Sequence, residues 1–270
     1  MNLLFTKYLK QWLCVHRPLT LNYGNLEALK WLALILMTGD HINIFILKDS
    51  APILMYIGRL VLPIFAFALA YSLAQPNALQ FGVYRRVCIR LSIAGVIATA
   101  PYVEMRGWQS LNILFTFLLG AFISQLILQQ EAYKKSLEFP KRLKKIGKIT
   151  SFIQPNYGLI ALIIFIYLGW TVEYVWVGVV VFLSAWYFCR RPTYLSFFFC
   201  IIVLLALYPF SGGNFYALLA IPTIALFIKL NLTVPRIKYV FYIYYPLHLG
   251  LIYIYQDNAY FINRFFKQLF

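Results

Sequence analysis

Aspartate and histidine stand side by side at Asp40-His41, within an otherwise apolar run from Leu26 to Leu47. A charged side chain at a bilayer centre costs roughly 2.5–3.5 kcal/mol or more, so such residues persist where they face protein, find a partner or perform chemistry. The chain holds 8 acidic residues and 3 histidines in 270 and places one of each here. Histidine titrates nearest neutral pH of all side chains, which makes His41 the natural general base for a hydroxyl or an ammonium. Further polar groups sit in other apolar runs: Arg59, then Asn112 and Thr116, whose spacing of four puts them on one helix face, then His248 after Pro246. Arg59 or Asn112 could stabilise a developing oxyanion, Thr116 could help position an acyl carbonyl, and His248 could close the pocket or share the proton. Acyl transfer fits this inventory. The chain has no GxSxG elbow, HExxH helix, P-loop or Rossmann glycine pattern. Proton-coupled transport fits less well, because repeated intramembrane carboxylates and an inverted repeat are missing.

The elements that must position these groups are membrane helices. Hydrophobic residues make up 62% of the chain and charged residues 12%, against about a quarter charged in a soluble domain. With roughly 20 residues needed per span, the apolar runs predict nine, at about Leu26-Leu47, Ile53-Ala74, Val87-Tyr102, Leu111-Gln129, Tyr157-Trp170, Val172-Phe188, Tyr194-Pro209, Phe215-Leu230 and Ile237-Tyr255. The expected fold is an all-α polytopic bundle forming one domain over 1–270. Residues 1–25 are a cytosolic or interfacial extension, with Leu3-Leu13 lying on the membrane and no cleaved signal peptide.

Charge supports that arrangement. With the N-terminus cytosolic, alternate loops hold nearly all the basic residues, while the others hold only Lys48, Arg106, Arg264 and Lys267. The net charge of +16 is therefore a topology signal; a nucleic-acid partner would need a basic soluble face. The basic loop 131–154 reads as an amphipathic segment on an anionic leaflet, and the lipid bilayer is the expected partner there. The four cysteines show neither a disulfide framework nor a zinc spacing, and no metal is expected.

At 1.5 Å of rise per residue, His41 lies roughly 9 Å and His248 ~10 Å below the outer surface. Arg59, Asn112 and Thr116 reach a similar level, with Glu104 in the loop just above. Each has a plainer reading as well. Asp40, which shares a helix face with Asn43, could form a structural ion pair with Arg59; His41, Asn112 and Thr116 could be interhelical contacts; and His248 could pack with Tyr244 and Tyr245.

The runs LKWLALILMTGDHIN (29–43), IGRLVLPIFAFALA (57–70), NILFTFLLG (112–120) and FYIYYPLHLGLIY (241–253) together resemble the TraX family of bacterial pilin acetylases. The resemblance covers Glu27 to Gln129 and, separately, the last span. It implies transfer of an acetyl group from acetyl-CoA to the N-terminal amine of pilin in the bacterial inner membrane. It also implies kinship with multi-span acyltransferases carrying a catalytic histidine late in the first span, the position of His41. The phosphates of acetyl-CoA should then meet the basic inner ends at Arg85, Arg86 or Lys238. Glu104 should attract the acceptor ammonium, and Tyr245 should line the substrate pocket. The competing readings are a polysaccharide or lipid O-acyltransferase and a non-enzymatic carrier or pilus-assembly protein.

Overall fold

The computed structural model describes residues 19–108, 110–138 and 156–269, with side-chain detail up to residue 134 in the second stretch and 258 in the third. The helix expected over Leu3-Leu13 and most of the basic 131–154 segment lie outside the described residues. All regular structure among the described residues is helical, in two short 3-10 helices, Tyr208–Phe210 and Tyr216–Leu219, and ten α-helices. These are α1 Tyr23–Phe45, α2 Pro52–Gly58, α3 Val61–Ala74, α4 Val83–Arg106, α5 Ile113–Glu138, α6 Tyr157–Leu168, α7 Val175–Arg190, α8 Tyr194–Leu205, α9 Ala220–Lys229 and α10 Val240–Leu269. Each overlaps one of the expected apolar runs once α2 and α3 are taken as halves of one, although α5 and α10 continue to Glu138 and Leu269, past Gln129 and Tyr255. Among the described residues, three segments, Pro52–Ala74, Val83–Arg106 and Ile113–Lys134, are long and apolar enough to cross a membrane.

The break between α2 and α3 departs from the continuous span expected there, and Pro63 explains it. Proline has no N–H to give the carbonyl four residues earlier, and its ring crowds that carbonyl. The residue four positions back is Arg59. The chain accordingly leaves the α-helix at Arg59 and Leu60, with the Arg59 and Leu60 amides bonding back to Tyr56 and Ile57 at 3.3 and 3.2 Å.

Exposed apolar side chains mark the lipid-facing surface. Leu159, Leu162 and Ile163 on α6 and Leu195, Phe198 and Ile202 on α8 all point outward. Apolar patches of that extent are stable against lipid rather than water, so this is a membrane protein. The interior is filled by Phe182, Leu73, Tyr84 and Trp186, where the Trp186 indole donates to the Tyr84 hydroxyl at 2.9 Å and that hydroxyl donates to the Leu73 carbonyl at 3.0 Å.

The first and last helices run side by side in the same direction. Trp31 meets Phe241, Thr38 meets Tyr244, His41 meets His248, and Gln256 donates to the Phe45 carbonyl, in one ascending register. This seam puts two residues more than 200 positions apart in sequence at one level.

Candidate active site

His41 and His248 are hydrogen-bonded to each other, Nδ1 of His41 to Nε2 of His248, at 2.7 Å. Their rings are parallel to within 2° with centroids 5.0 Å apart. With the short N···N contact, that separation describes two imidazoles meeting edge to edge in one plane rather than stacked face to face. The surroundings fix the protons. His248 Nδ1 lies 2.9 Å from the Tyr244 carbonyl oxygen, which can only accept, so Nδ1 carries the hydrogen and Nε2 of the neutral ring is a lone pair. His41 Nδ1 must then be the donor across the 2.7 Å bond. That leaves Nε2 of His41 as the nitrogen with a free lone pair, and His41 is the member of the pair that lines the central cavity. A positioned base with its tautomer held by a second group is the arrangement that proton abstraction requires.

Several contacts hold the pair in place. The Thr38 hydroxyl donates to the Leu34 carbonyl at 2.8 Å and so accepts from the Tyr244 hydroxyl, also at 2.8 Å. This ties α10 to α1 one turn below the histidines. Tyr245 is buried and presents its ring edge-on to both imidazoles, at centroid distances of 6.5 and 5.4 Å.

The cavity has a volume of about 620 Å³ and extends well beyond His41. One end is basic on balance, with Arg86, Arg90, Arg236 and Lys238 in its wall beside the Lys30–Glu27 ion pair. The other carries Asp40, Arg59, Arg106, Glu173, Tyr174 and Tyr102. Helices α1, α3, α4, α5 and α10 supply the walls between, through residues such as Leu34, Phe65, Leu91, Phe117 and Tyr242. A long molecule with an anionic end and a narrow apolar stem would fit this polarity.

Asp40 and Arg59 both line the cavity, but they are not an ion pair. The ion pairs among the described residues are Lys30–Glu27, Arg106–Glu173 and Arg190–Glu131. Instead the Asp40 carboxyl packs on the backbone of Gly58, where an added Cβ would fall 2.5 Å from its Cγ. Asp40 Oδ1 and Arg59 Nε, like Glu27 Oε2 at the basic end, are buried without a hydrogen-bond partner within the protein. Asn43 is occupied elsewhere: its carbonyl oxygen accepts from the Ala51 amide at 2.9 Å and its amide donates to Asp49 at 3.3 Å, closing the turn after α1.

Asn112 and Thr116 are fully buried and stand behind the cavity wall. Asn112 donates to the Gly95 carbonyl at 2.9 Å and the Thr99 hydroxyl at 3.3 Å, and its oxygen accepts from the Leu114 amide at 3.2 Å. Both amide hydrogens are therefore committed to fastening α5 to α4, and neither is free for an oxyanion. Thr116 donates to the Glu173 carbonyl at 2.8 Å and so holds the turn before α7. Of the anticipated cofactor residues, Arg86 and Lys238 line the basic end while Arg85 is exposed outside it. Glu104 is exposed on α4 and does not line the cavity. A carboxylate that does, at the same end as Asp40, is Glu173, in the turn between α6 and α7, paired with Arg106 at 3.1 Å. Sequence reasoning passed over it, although it is the one acidic residue between Glu138 and Asp257 and interrupts two apolar runs.

Comparison with known proteins gives one family. A family model described as TraX protein matches residues 25–256, a range that also takes in the middle helices. No curated protein and no solved structure matches the chain.

Proposed function

The chain belongs to the TraX family, and on that premise we propose that it is an integral membrane acetyltransferase. It takes the acetyl group of acetyl-CoA and passes it to the N-terminal amine of a pilin subunit presented at the bacterial inner membrane. The observation that carries this reading is the His41–His248 pair, with a free His41 Nε2 on a cavity whose far mouth is basic. Acetyl-CoA enters from the cytosolic side, its phosphates meeting Arg86, Arg90, Arg236 and Lys238, because cationic side chains at a mouth both attract and hold a polyanion. The pantetheine arm runs along the apolar stretch towards His41.

A terminal amine is largely protonated at neutral pH, so it first releases one proton to solvent, which frees its lone pair while two protons stay on the nitrogen. His41 Nε2 accepts a proton from the nitrogen as its lone pair closes on the thioester carbonyl carbon, and the N–C bond forms. The carbonyl oxygen becomes an oxyanion beside Arg59, whose buried Nε has no other partner. Collapse of this adduct breaks the C–S bond. The coenzyme thiolate leaves, and the proton held on His41 neutralises it, so the free imidazole is restored. His248 does not touch the substrate; it keeps the His41 proton on Nδ1 and orients the ring.

Intact-mass measurement of pilin from cells with and without the gene tests the reading. An increase equal to one acetyl group in place of one hydrogen is expected. Saturable acetyl-CoA binding by the purified protein is expected as well. A carrier or an assembly scaffold would give neither, and acetylated glycan with unmodified pilin would move the assignment to an O-acyltransferase.

A further inference from the structure

We infer that the Glu173–Arg106 pair is the docking point for the acceptor, and that it selects a primary ammonium next to a peptide carbonyl; this rests on the acetyltransferase reading above. The turn that carries Glu173 is held in an unfavourable backbone conformation. Tyr174 has φ 60° and Val175 φ 43°, left-handed values that bulky and β-branched residues rarely adopt. Strain of this kind costs about 1–3 kcal/mol per residue and survives only where the surroundings enforce it. Three features enforce it here. Leu111 bonds the turn on both sides, its amide to the Thr171 carbonyl at 2.8 Å and its carbonyl to the Glu173 amide at 2.9 Å. Thr116 holds the Glu173 carbonyl. Gly178 leaves room for the turn, since a Cβ there would stand 2.9 Å from Tyr174 Cβ and 3.1 Å from the Glu173 oxygen. The result is that Glu173 and Tyr174 enter the wall of the cavity that His41 also lines.

The chemistry of the pair matches one end of a peptide. A terminal residue offers a positive ammonium and, three bonds away, a carbonyl oxygen with partial negative charge. Glu173 and Arg106 present the complementary signs 3.1 Å apart. Docking exchanges one set of partners for another, so neither protein charge is left buried and alone, which would be costly. Tyr102, Tyr174 and Tyr245 line the same cavity, and aromatic faces favour a cation. Asp40, with its unpartnered buried oxygen, adds negative character on the same cavity. Glu104, two residues before Arg106, shares none of these contacts. An N-acetylated product has lost the positive charge, so the same pair releases it.

The experiment uses the full-length protein in detergent with a synthetic peptide copying the pilin N-terminus, its N-acetylated form, and an analogue whose terminal amine is replaced by hydroxyl. Wild-type protein should bind the free amine at least about tenfold more tightly than either neutral peptide, the usual worth of a charge-assisted hydrogen bond. Glu173→Gln should erase that preference and raise the peptide KM by about 10- to 100-fold, with acetyl-CoA binding unchanged. Glu173→Asp should recover part of it. Because Glu173→Gln leaves Arg106 unpaired, the double variant Glu173→Gln/Arg106→Gln is measured beside it and should lose the preference equally while staying folded. Equal binding of amine and hydroxyl peptides by wild type, or an intact preference in the double variant, overturns the inference even when acetylation proceeds. If wild-type protein transfers no acetyl group to any peptide, the acetyltransferase reading fails and takes this one with it.

Discussion

Removing the acceptor that His248 offers to His41 should slow acetyl transfer by an intermediate, calculable amount. In His248→Leu the His41 Nδ1–H loses the partner it now has at 2.7 Å. A buried donor without an acceptor costs about 1–3 kcal/mol. Relief comes from moving the proton to Nε2 or rotating the ring, and either change removes the lone pair from the reacting position. At 1.4 kcal/mol per factor of ten, the expected loss in rate is about 5- to 150-fold. His41→Ala removes the base itself and should cost roughly 10²- to 10⁴-fold. His248→Gln restores an amide oxygen that can accept from His41 Nδ1, and should recover activity to within about tenfold of wild type. The assay is intact-mass analysis of pilin at matched membrane levels of each variant, since insertion rather than catalysis could otherwise differ. Two results would refute the reasoning: His248→Leu as damaging as His41→Ala with no rescue by glutamine, which would make His248 the base, or His248→Leu fully active.

Three shorter predictions address the supports of the site. Gly58→Ala puts a methyl group 2.5 Å from Asp40 Cγ; overpacking of that kind should destabilise the protein by about 1–3 kcal/mol and lower the melting temperature in detergent, whereas an unchanged melting temperature would show that the contact yields freely. Neutralising Arg90 and Arg236 together should weaken acetyl-CoA binding while leaving the affinity for acceptor peptide alone, and equal loss of both would deny that the basic mouth serves the cofactor. Cysteine labelling after Glu104 and after Ala132 should report opposite faces of the membrane, and labelling of both from one side would dismantle the assignment of the basic end to the cytosol.

The sequence disclosed depth but not partnership. His41 and His248 were placed at one level because both lie a similar distance before the end of a span that runs the same way, and the α1–α10 seam puts them in contact. Thr116 sits on α5 while Asn112 precedes that helix as its cap, and nothing in spacing alone reveals that their hydrogen bonds end on the carbonyls of Gly95 and Glu173 rather than on a ligand. The Asp40–Arg59 pair failed for a reason visible only in retrospect. Pro63 breaks the helix at Arg59, and Gly58 without a side chain allows α2 to close directly on the Asp40 carboxyl. Glu173 falls at the second residue of the expected Val172-Phe188 span, where a lone carboxylate at the head of an apolar run is itself a functional signal.

The division of labour along the chain follows from where these groups come from. The base is on α1, its orienting partner on the last described helix, and the acceptor carboxylate on a turn that α5 holds from behind. None of the three pieces has its geometry without the others: His41 has no fixed tautomer until α10 docks, and the strained 173–175 turn has no reason to hold until Leu111 and Thr116 brace it. Sequence signals of such a site are therefore scattered short runs rather than one motif. The four runs that carry the family resemblance fit this pattern. They contain His41 and Asp40, the Gly58-to-Pro63 break, the Asn112–Thr116 brace, and the Tyr244-to-His248 anchor. Each run preserves a part that another must complete, so a change in any one should misplace His41, Arg59 or Glu173.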